Sequence, residues 1–168
     1  MTAEQLPAEL ADWPAYTPGD EQLGELELLL SGAFAPLTGY LANEDLAAVT
    51  ARRELADGTQ WPVPLTLTVP AAAVPEGTHK LVLQDPEGSP LAVLDIAERT
   101  PADSAGRTLR LAGKVTALRA AEHGPFRAMR RDPAEVRAAW GGGGPVLALP
   151  IRRPLTRRHI GQLRHLAG

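Results

Sequence analysis

The chain has 168 residues, which is enough for one domain with its own core and a short appendage. It contains no cysteine, which excludes disulfides and thiolate metal sites and suits the cytoplasm, where we expect it to act. No apolar run is long enough to cross a bilayer, so we expect no membrane partner.

The net charge of −3 is unevenly divided along the chain. Residues 1–126 carry 18 acidic and 8 basic side chains, whereas residues 127–168 carry 9 arginines and 2 acidic side chains. The acidic body should repel polyanions such as nucleic acids, and only the basic tail could attract them.

The first predicted elements are an extended lead-in and an acidic helix. Prolines at positions 7, 14 and 18 disfavour a long helix, so we expect Trp13 and Tyr16 to anchor an extended segment. Asp20 is the predicted N-cap of a helix that ends near Ser31. Leucines at helical spacing predict one buried stripe, formed by Leu23, Leu26, Leu29 and Leu30.

A loop rich in glycine and proline follows, over residues 32–40. Glycine gives the backbone freedom and Pro36 restricts one dihedral angle, while Phe34, Leu37 and Tyr40 can anchor the loop to a core. This composition predicts a loop that is held in place.

A second helix and several strands come next. The helix is predicted from its cap Asn43 to Arg53, with Leu46, Val49 and Ala47 turned inward. Alternating apolar residues then predict strands over residues 63–69, 79–84, 91–96 and 109–115. Asp, Pro and Gly at the first, second and fourth positions of residues 85–88 predict a β-turn, and residues 99–107 a polar loop.

The last third should contain helices and one isolated strand. Residues 124–129 and a segment opened by Asp132 and Pro133 predict short helices. The glycines of residues 141–144 predict a flexible joint, residues 145–151 a buried strand and residues 156–166 a helix. The order of elements indicates an α+β domain around a curled sheet, followed by one strand-helix unit.

Three stretches resemble the N-terminal domain of ATP sulfurylases (sulfate adenylyltransferases): residues 25–41, 55–67 and 83–94. They occur in the order and spacing of that family. The resemblance implies a PUA-like pseudo-β-barrel with flanking helices over residues 1–140. It also implies that residues 141–168 are a glycine-rich joint and the degenerate first strand and helix of a nucleotidyltransferase domain.

In that family the catalytic domain opens with Gln-Thr-Arg-Asn-Pro and a helix that begins His-x-x-His, and these groups bind sulfate and the ATP phosphates. This chain matches the motif at Arg152, Pro154, Leu155, Arg157 and His159. It departs from the motif at four positions, where it has Pro150, Ile151, Arg153 and Thr156. The resemblance therefore implies sulfate or ATP binding at Arg152, Arg153 and His159, and no catalytic residue.

The residues alone leave two interpretations of this basic cluster open. A helix N-terminus with added guanidinium groups favours an anion, but a run of arginines can equally be a solvated face. His159 and His165 are six residues apart with no third ligand nearby, so we expect no metal and no cofactor.

The resemblance and the departures from its motif leave three functions open for this chain. The first is a non-catalytic module of sulfate activation and assimilation that supports an adenylylsulfate kinase or a nucleotidyltransferase partner. The second is part of a split or truncated sulfate adenylyltransferase that makes adenylyl sulfate from ATP and sulfate. The third is RNA binding, since PUA-like barrels of other families hold RNA. Because the sequence stops at Gly168, before the family's later ATP-binding motifs, we expect no activity from this chain alone.

Overall fold

The computed structural model describes residues 8–119, 131–140, 151–152 and 154–166. The chain divides into two compact units, residues 1–134 and 135–168. The elements of the described ranges are α1 (Asp20–Leu30), α2 (Asn43–Arg52), α3 (Pro133–Ala139), α4 (Arg157–Leu166), β1 (Ala15–Tyr16), β2 (Gly39–Tyr40), β3 (Leu67–Pro70), β4 (Lys80–Gln84), β5 (Pro90–Pro101) and β6 (Thr108–Ala117). Among these helices, none has the length and apolar character needed to cross a lipid bilayer.

The strands of the described residues form one open six-stranded sheet. Its order is β1-β4-β5-β6-β2, and β3 pairs with the other half of β6. Neighbouring strands are antiparallel except β1 and β4, which run parallel. The predicted α+β class and the PUA-like fold are thereby confirmed, with a curled sheet that does not close into a barrel.

The core lies between this sheet and the two N-terminal helices. Of the predicted leucine stripe of α1, Leu23, Leu26 and Leu29 are buried, with Leu26 fully inaccessible, and Leu30 is partly buried. The alternating strand residues Leu65, Leu67 and Val69 are also fully buried. Each such leucine or valine contributes about 1.5–3 kcal/mol of transfer free energy.

Two predicted strand boundaries were wrong, each for a tertiary reason. β5 runs to Pro101, well past Ile96, because β6 continues to pair with it until Pro101 lies opposite Leu109. The polar loop predicted over residues 99–107 is therefore limited to residues 102–107. Val63 is exposed and lies outside β3, since prolines on both sides of it interrupt ladder hydrogen bonds.

The predicted helix caps also differ from the observed ones. Gly19 is the N-cap of α1, and Ala42 takes that place in α2. Asn43 is the first residue of α2, where its side chain donates to Thr100 Oγ1 (2.8 Å) and accepts from Arg110. The Glu98 carboxylate, brought close by β5, accepts the Asn43 N–H at 2.9 Å, so a strand supplies the anion that this helix start favours.

The side chains of α2 that face the core are partly those predicted. Val49 is buried and Leu46 packs partly buried against the core, but Ala47 is exposed and Ala48 is buried instead. The helix ends at Arg52, and its C-cap Arg53 adopts a left-handed conformation with φ 60°.

Two glycines allow three strands to meet. Gly39 in β2 lies next to Gly113 in β6, and a Cβ on Gly39 would come 1.9 Å from the Gly113 carbonyl oxygen. A Cβ on Gly113 would come 1.9 Å from the Asp95 carbonyl oxygen, and Gly113 has φ 148°. Only residues without a side chain fit this junction.

Several predictions lie outside the described residues. These are the helix over residues 124–129, His123, the glycine joint over residues 141–144 and, apart from Ile151, the strand over residues 145–151. The predicted helices at Pro133–Ala139 and up to Leu166 are confirmed.

Candidate functional site

The predicted anion-binding cluster lies at the start of α4. Thr156 precedes the helix, and its Oγ1 accepts a hydrogen bond from the His159 N–H at 3.3 Å. In return, His159 Nδ1 accepts the Thr156 N–H at 3.4 Å. This reciprocal pair is a capping box in which histidine occupies the position usually held by Glu or Gln.

The capping box uses groups that a ligand would otherwise contact. Nδ1 of His159 is engaged as the acceptor of the Thr156 N–H. The His159 backbone N–H is also occupied. His159 therefore stabilises the start of α4 through its backbone and its ring.

The arginines beside this cap face solvent. Arg152, Arg157 and Arg158 are all exposed, and Arg153 lies outside the described residues. Of the predicted ligands Arg152, Arg153 and His159, the structure thus places the first and the third, both on an open surface. Exposed guanidinium groups offer a diffuse positive potential, which salt screens.

A groove of about 460 Å³ runs along α4. Apolar side chains and two imidazoles form its walls, which comprise Leu155, His159, Gln162, Leu163, His165 and Leu166. Among the described residues, no arginine lines this groove. Within the described ranges, no group of three or more His, Cys, Asp or Glu side chains could hold a metal ion.

In the first unit, two of the three sequence stretches pack against each other. The Phe34 ring meets the Trp61 ring edge to face, with centroids 5.6 Å apart. Trp61 Nε1 donates to the Val63 carbonyl at 2.6 Å, and the Leu41 N–H donates to the Leu65 carbonyl at 3.1 Å. The loop over residues 32–40 is therefore held in place, as predicted, and its Phe34 ring packs against the core.

The third stretch forms the predicted β-turn. The Gly88 N–H donates to the Asp85 carbonyl at 2.9 Å, and Asp85 Oδ1 accepts the Ser89 N–H at 2.6 Å. Gly88 has φ 81°, a conformation that favours glycine. Asp85 thus has a structural role in the hairpin.

Among the described residues of this unit, one buried side-chain polar group, the Tyr40 hydroxyl, lacks a hydrogen-bond partner. Tyr40 is 3% exposed, and its hydroxyl has no hydrogen bond among the described residues. Burial, followed by the charge of Glu25 and then Tyr16, raises the pKa of Tyr40 above its ordinary value. Burial and the neighbouring Glu21 likewise raise the pKa of Glu25. The phenol consequently stays protonated.

Sequence reasoning missed a concave surface around the loop over residues 76–79. Two grooves, of about 580 and 380 Å³, share this loop. In the smaller one, Lys80 Nζ lies 4.9 Å from the centroid of the Trp13 ring and 2.6 Å from Asp95 Oδ1. In the larger one, Arg99 donates to the carbonyls of Val74 and Pro75. The sequence carries no local signal for these contacts, because each joins segments far apart in the chain.

The fold and this geometry define a class of protein. The PUA-like domain profile matches residues 2–116, which is more than half of the chain, so the chain belongs to the PUA-like domain family. Together with the similarity to curated sulfate adenylyltransferases, this match confirms the resemblance of the three sequence stretches to the N-terminal domain of ATP sulfurylases.

The curated relatives name a particular enzyme. The sulfate adenylyltransferase of Deinococcus radiodurans is 32% identical over 91% of this chain, which spans 45% of that enzyme. The sulfate adenylyltransferase of Saccharomyces cerevisiae is 28% identical over 90% of the chain, which spans 35% of it. The chain therefore spans less than half the length of these relatives.

A solved structure is similar as well. The hexameric APS kinase from Thiobacillus denitrificans superimposes with a TM-score of 0.69 at 34% sequence identity. The match covers 79% of this chain and 27% of that protein.

Proposed function

We propose that this chain is a non-catalytic PUA-like module of sulfate activation and assimilation, which supports a partner such as an adenylylsulfate kinase or a nucleotidyltransferase. Two observations carry the proposal. The first unit is folded, and the similarity to sulfate adenylyltransferases extends over about 90% of this chain but over less than half the length of those enzymes. As part of this proposal the module acts in the cytoplasm, which its cysteine-free composition favours.

The start of α4 supports a role without catalysis. Adenylyl transfer from ATP to sulfate, with release of pyrophosphate, requires groups that meet the reacting phosphate and sulfate in fixed geometry. Here His159 and Thr156 hydrogen-bond each other in a helix cap, and the adjacent arginines are exposed. Pro150 and Ile151 replace the polar Gln and Thr of the family motif.

The choice of partner class is supported by the structural neighbour. The APS kinase of the solved structure contains a domain similar to this one. That domain makes up about a quarter of the kinase chain. A domain that recurs beside kinase chemistry is suited to position or stabilise the kinase.

The test has two arms. The purified chain should yield no adenylyl sulfate from ATP and sulfate with pyrophosphatase present, and it should bind an adenylylsulfate kinase from the same genome in calorimetry. Adenylyl sulfate formation by the chain alone would instead establish an active, truncated sulfate adenylyltransferase. Absence of kinase binding and of any rate effect on that kinase would overturn the supporting role.

Within this proposal, Arg152, Arg153 and His159 remain the predicted ligands of sulfate or ATP. Calorimetry with sulfate and with ATP tests them, and the expected result is a weak binding signal that Arg152→Ala removes. Arg137→Ala is the matched control, because it deletes an exposed arginine of α3. Equal binding by both variants would assign the cluster to surface solvation.

A further inference from the structure

Helices α1 and α4 carry the same pattern of residues with opposite charges. Acidic residues occupy the first, second and eighth positions of α1, where α4 has arginines. Glycine is fifth in both helices, as Gly24 and Gly161, and apolar residues are fourth, seventh and tenth. The charged pairs at equivalent positions are Asp20 and Arg157, Glu21 and Arg158, and Glu27 and Arg164.

In each helix the first two charged positions and the glycine lie on the same side. At 100° per residue, positions one, two and five fall opposite the apolar stripe, while position eight lies at its edge. Asp20, Glu21 and Gly24 are exposed on α1, and Arg157, Arg158 and Gly161 are exposed on α4. These two outward faces are therefore complementary in charge and equal in spacing.

The central glycines add a steric argument. A Cβ placed on Gly24 or on Gly161 meets no atom within 4 Å, so neither glycine is required by its own surroundings. Glycine is also a poor helix former, which makes its presence in the middle of both helices unfavourable for the isolated helix. A flat point on each face does, however, let two helix backbones approach closely.

We propose that α4 of one copy of this chain docks on the outward face of α1 in a second copy, with Arg157 and Arg158 facing Asp20 and Glu21. Leu28, which is 44% exposed on α1, adds an apolar contact to this face. Since the two surfaces differ, the contact is head to tail and can be repeated by further copies. The proposal is independent of the sulfate-activation role.

The predicted association is weak and depends on salt. Exposed ion pairs contribute little individually, so several must act together. Raising the ionic strength from about 0.02 M to about 0.5 M shortens the Debye length severalfold and should raise the dissociation constant at least tenfold.

Sedimentation velocity of the full chain at low salt, over about a hundredfold range of concentration, tests the proposal. We expect concentration-dependent association that Arg157→Glu with Arg158→Glu weakens at least about tenfold. Asp20→Arg with Glu21→Arg should weaken it equally. Circular dichroism and thermal melting establish that each variant remains folded.

A mixture of the two variants provides the decisive measurement. The Arg157/Arg158 variant keeps an acidic α1 and gains acids on α4. The Asp20/Glu21 variant keeps a basic α4 and gains arginines on α1. The mixture should therefore associate more strongly than either variant alone. The control Glu76→Lys with Glu87→Lys makes the same change in net charge as Asp20→Arg with Glu21→Arg, at exposed positions outside both helices, and should associate like the wild type.

Three results would overturn the proposal. The first is a wild-type chain that stays monomeric at low salt over the whole range. The second is association that neither charge reversal changes. The third is a mixture that associates no better than its two components.

Discussion

Helices α1 and α4 have the same apolar positions but differ completely in burial. In α1 those positions hold Leu23, Leu26 and Leu29, and all three are buried against the sheet. In α4 no residue is buried, and Leu166 is 72% exposed. The comparison teaches that an amphipathic pattern identifies the side of a helix that can be buried, while burial itself requires a complementary surface.

The same contrast separates the two units. Residues 8–119 have a continuous leucine-rich core. By contrast, α3 and α4 contain no buried residue, and Trp140 is 58% exposed. Stability should therefore reside in the first unit. The following predictions test that difference, in order of expected effect.

The largest effect is expected from Gly113→Ala. The new Cβ would lie 1.9 Å from the Asp95 carbonyl oxygen in a conformation that disfavours side chains, so β5 and β6 must separate locally. We expect a loss of roughly 4 kcal/mol in the free energy of unfolding or failure to fold. Urea denaturation measures it. Gly24→Ala, at an exposed helix position, is the control and should gain up to about 1 kcal/mol.

The next effect compares one leucine from each unit. Leu111 is fully buried in β6, so Leu111→Ala should cost about 3 kcal/mol through lost burial and a cavity. Leu166→Ala should change the free energy of unfolding by no more than about 0.5 kcal/mol. Equal losses in urea titrations of both variants would contradict the proposed difference between the units.

Tyr40→Phe should stabilise the first unit. The buried Tyr40 hydroxyl has no partner among the described residues, so its removal relieves a desolvation cost of about 1 kcal/mol. Tyr16→Phe is the control, because Tyr16 donates to Gln22 Oε1 at 3.3 Å and should lose stability. Thermal melting of both variants measures the opposite signs, and destabilisation by Tyr40→Phe would reveal a partner for this hydroxyl.

Thr156→Ala should loosen the start of α4 by about 1 kcal/mol and leave the first unit unchanged, because the cap belongs to one helix. Hydrogen exchange at the backbone amides of His159 and Ile160 measures the local change. His159→Gln keeps a capping-box residue at the same position and should retain protection. Faster exchange throughout the first unit in Thr156→Ala would show that the two units are energetically coupled.

The smallest effect concerns pH. A hydrogen bond from the Thr108 hydroxyl, then those from backbone amides, lower the pKa of Asp103 below its ordinary value. A lowered pKa in the folded state adds stability above the unfolded pKa, and that stability is lost as pH falls through the folded pKa. Asp103→Asn should therefore lower Tm slightly at neutral pH and make no difference in strong acid. A difference that grows on acidification would have the wrong sign.

The sequence by itself determined the fold class, the buried stripe of α1 and the turn at residues 85–88, because these depend on short-range periodicity and on the backbone preferences of Gly, Pro and Asp. Family resemblance added the PUA-like fold. The sequence predicted a helix start near His159, but only the structure revealed that His159 caps it.

Tertiary structure decided everything that depends on partners distant in sequence. β5 extends to Pro101 because β6 lies beside it, and the Glu98 carboxylate accepts the N–H of Asn43, the residue predicted to cap α2. Lys80 contacts both Trp13 and Asp95 only after the sheet has formed. No local pattern encodes such contacts, since their free energy appears only when folding brings the segments together.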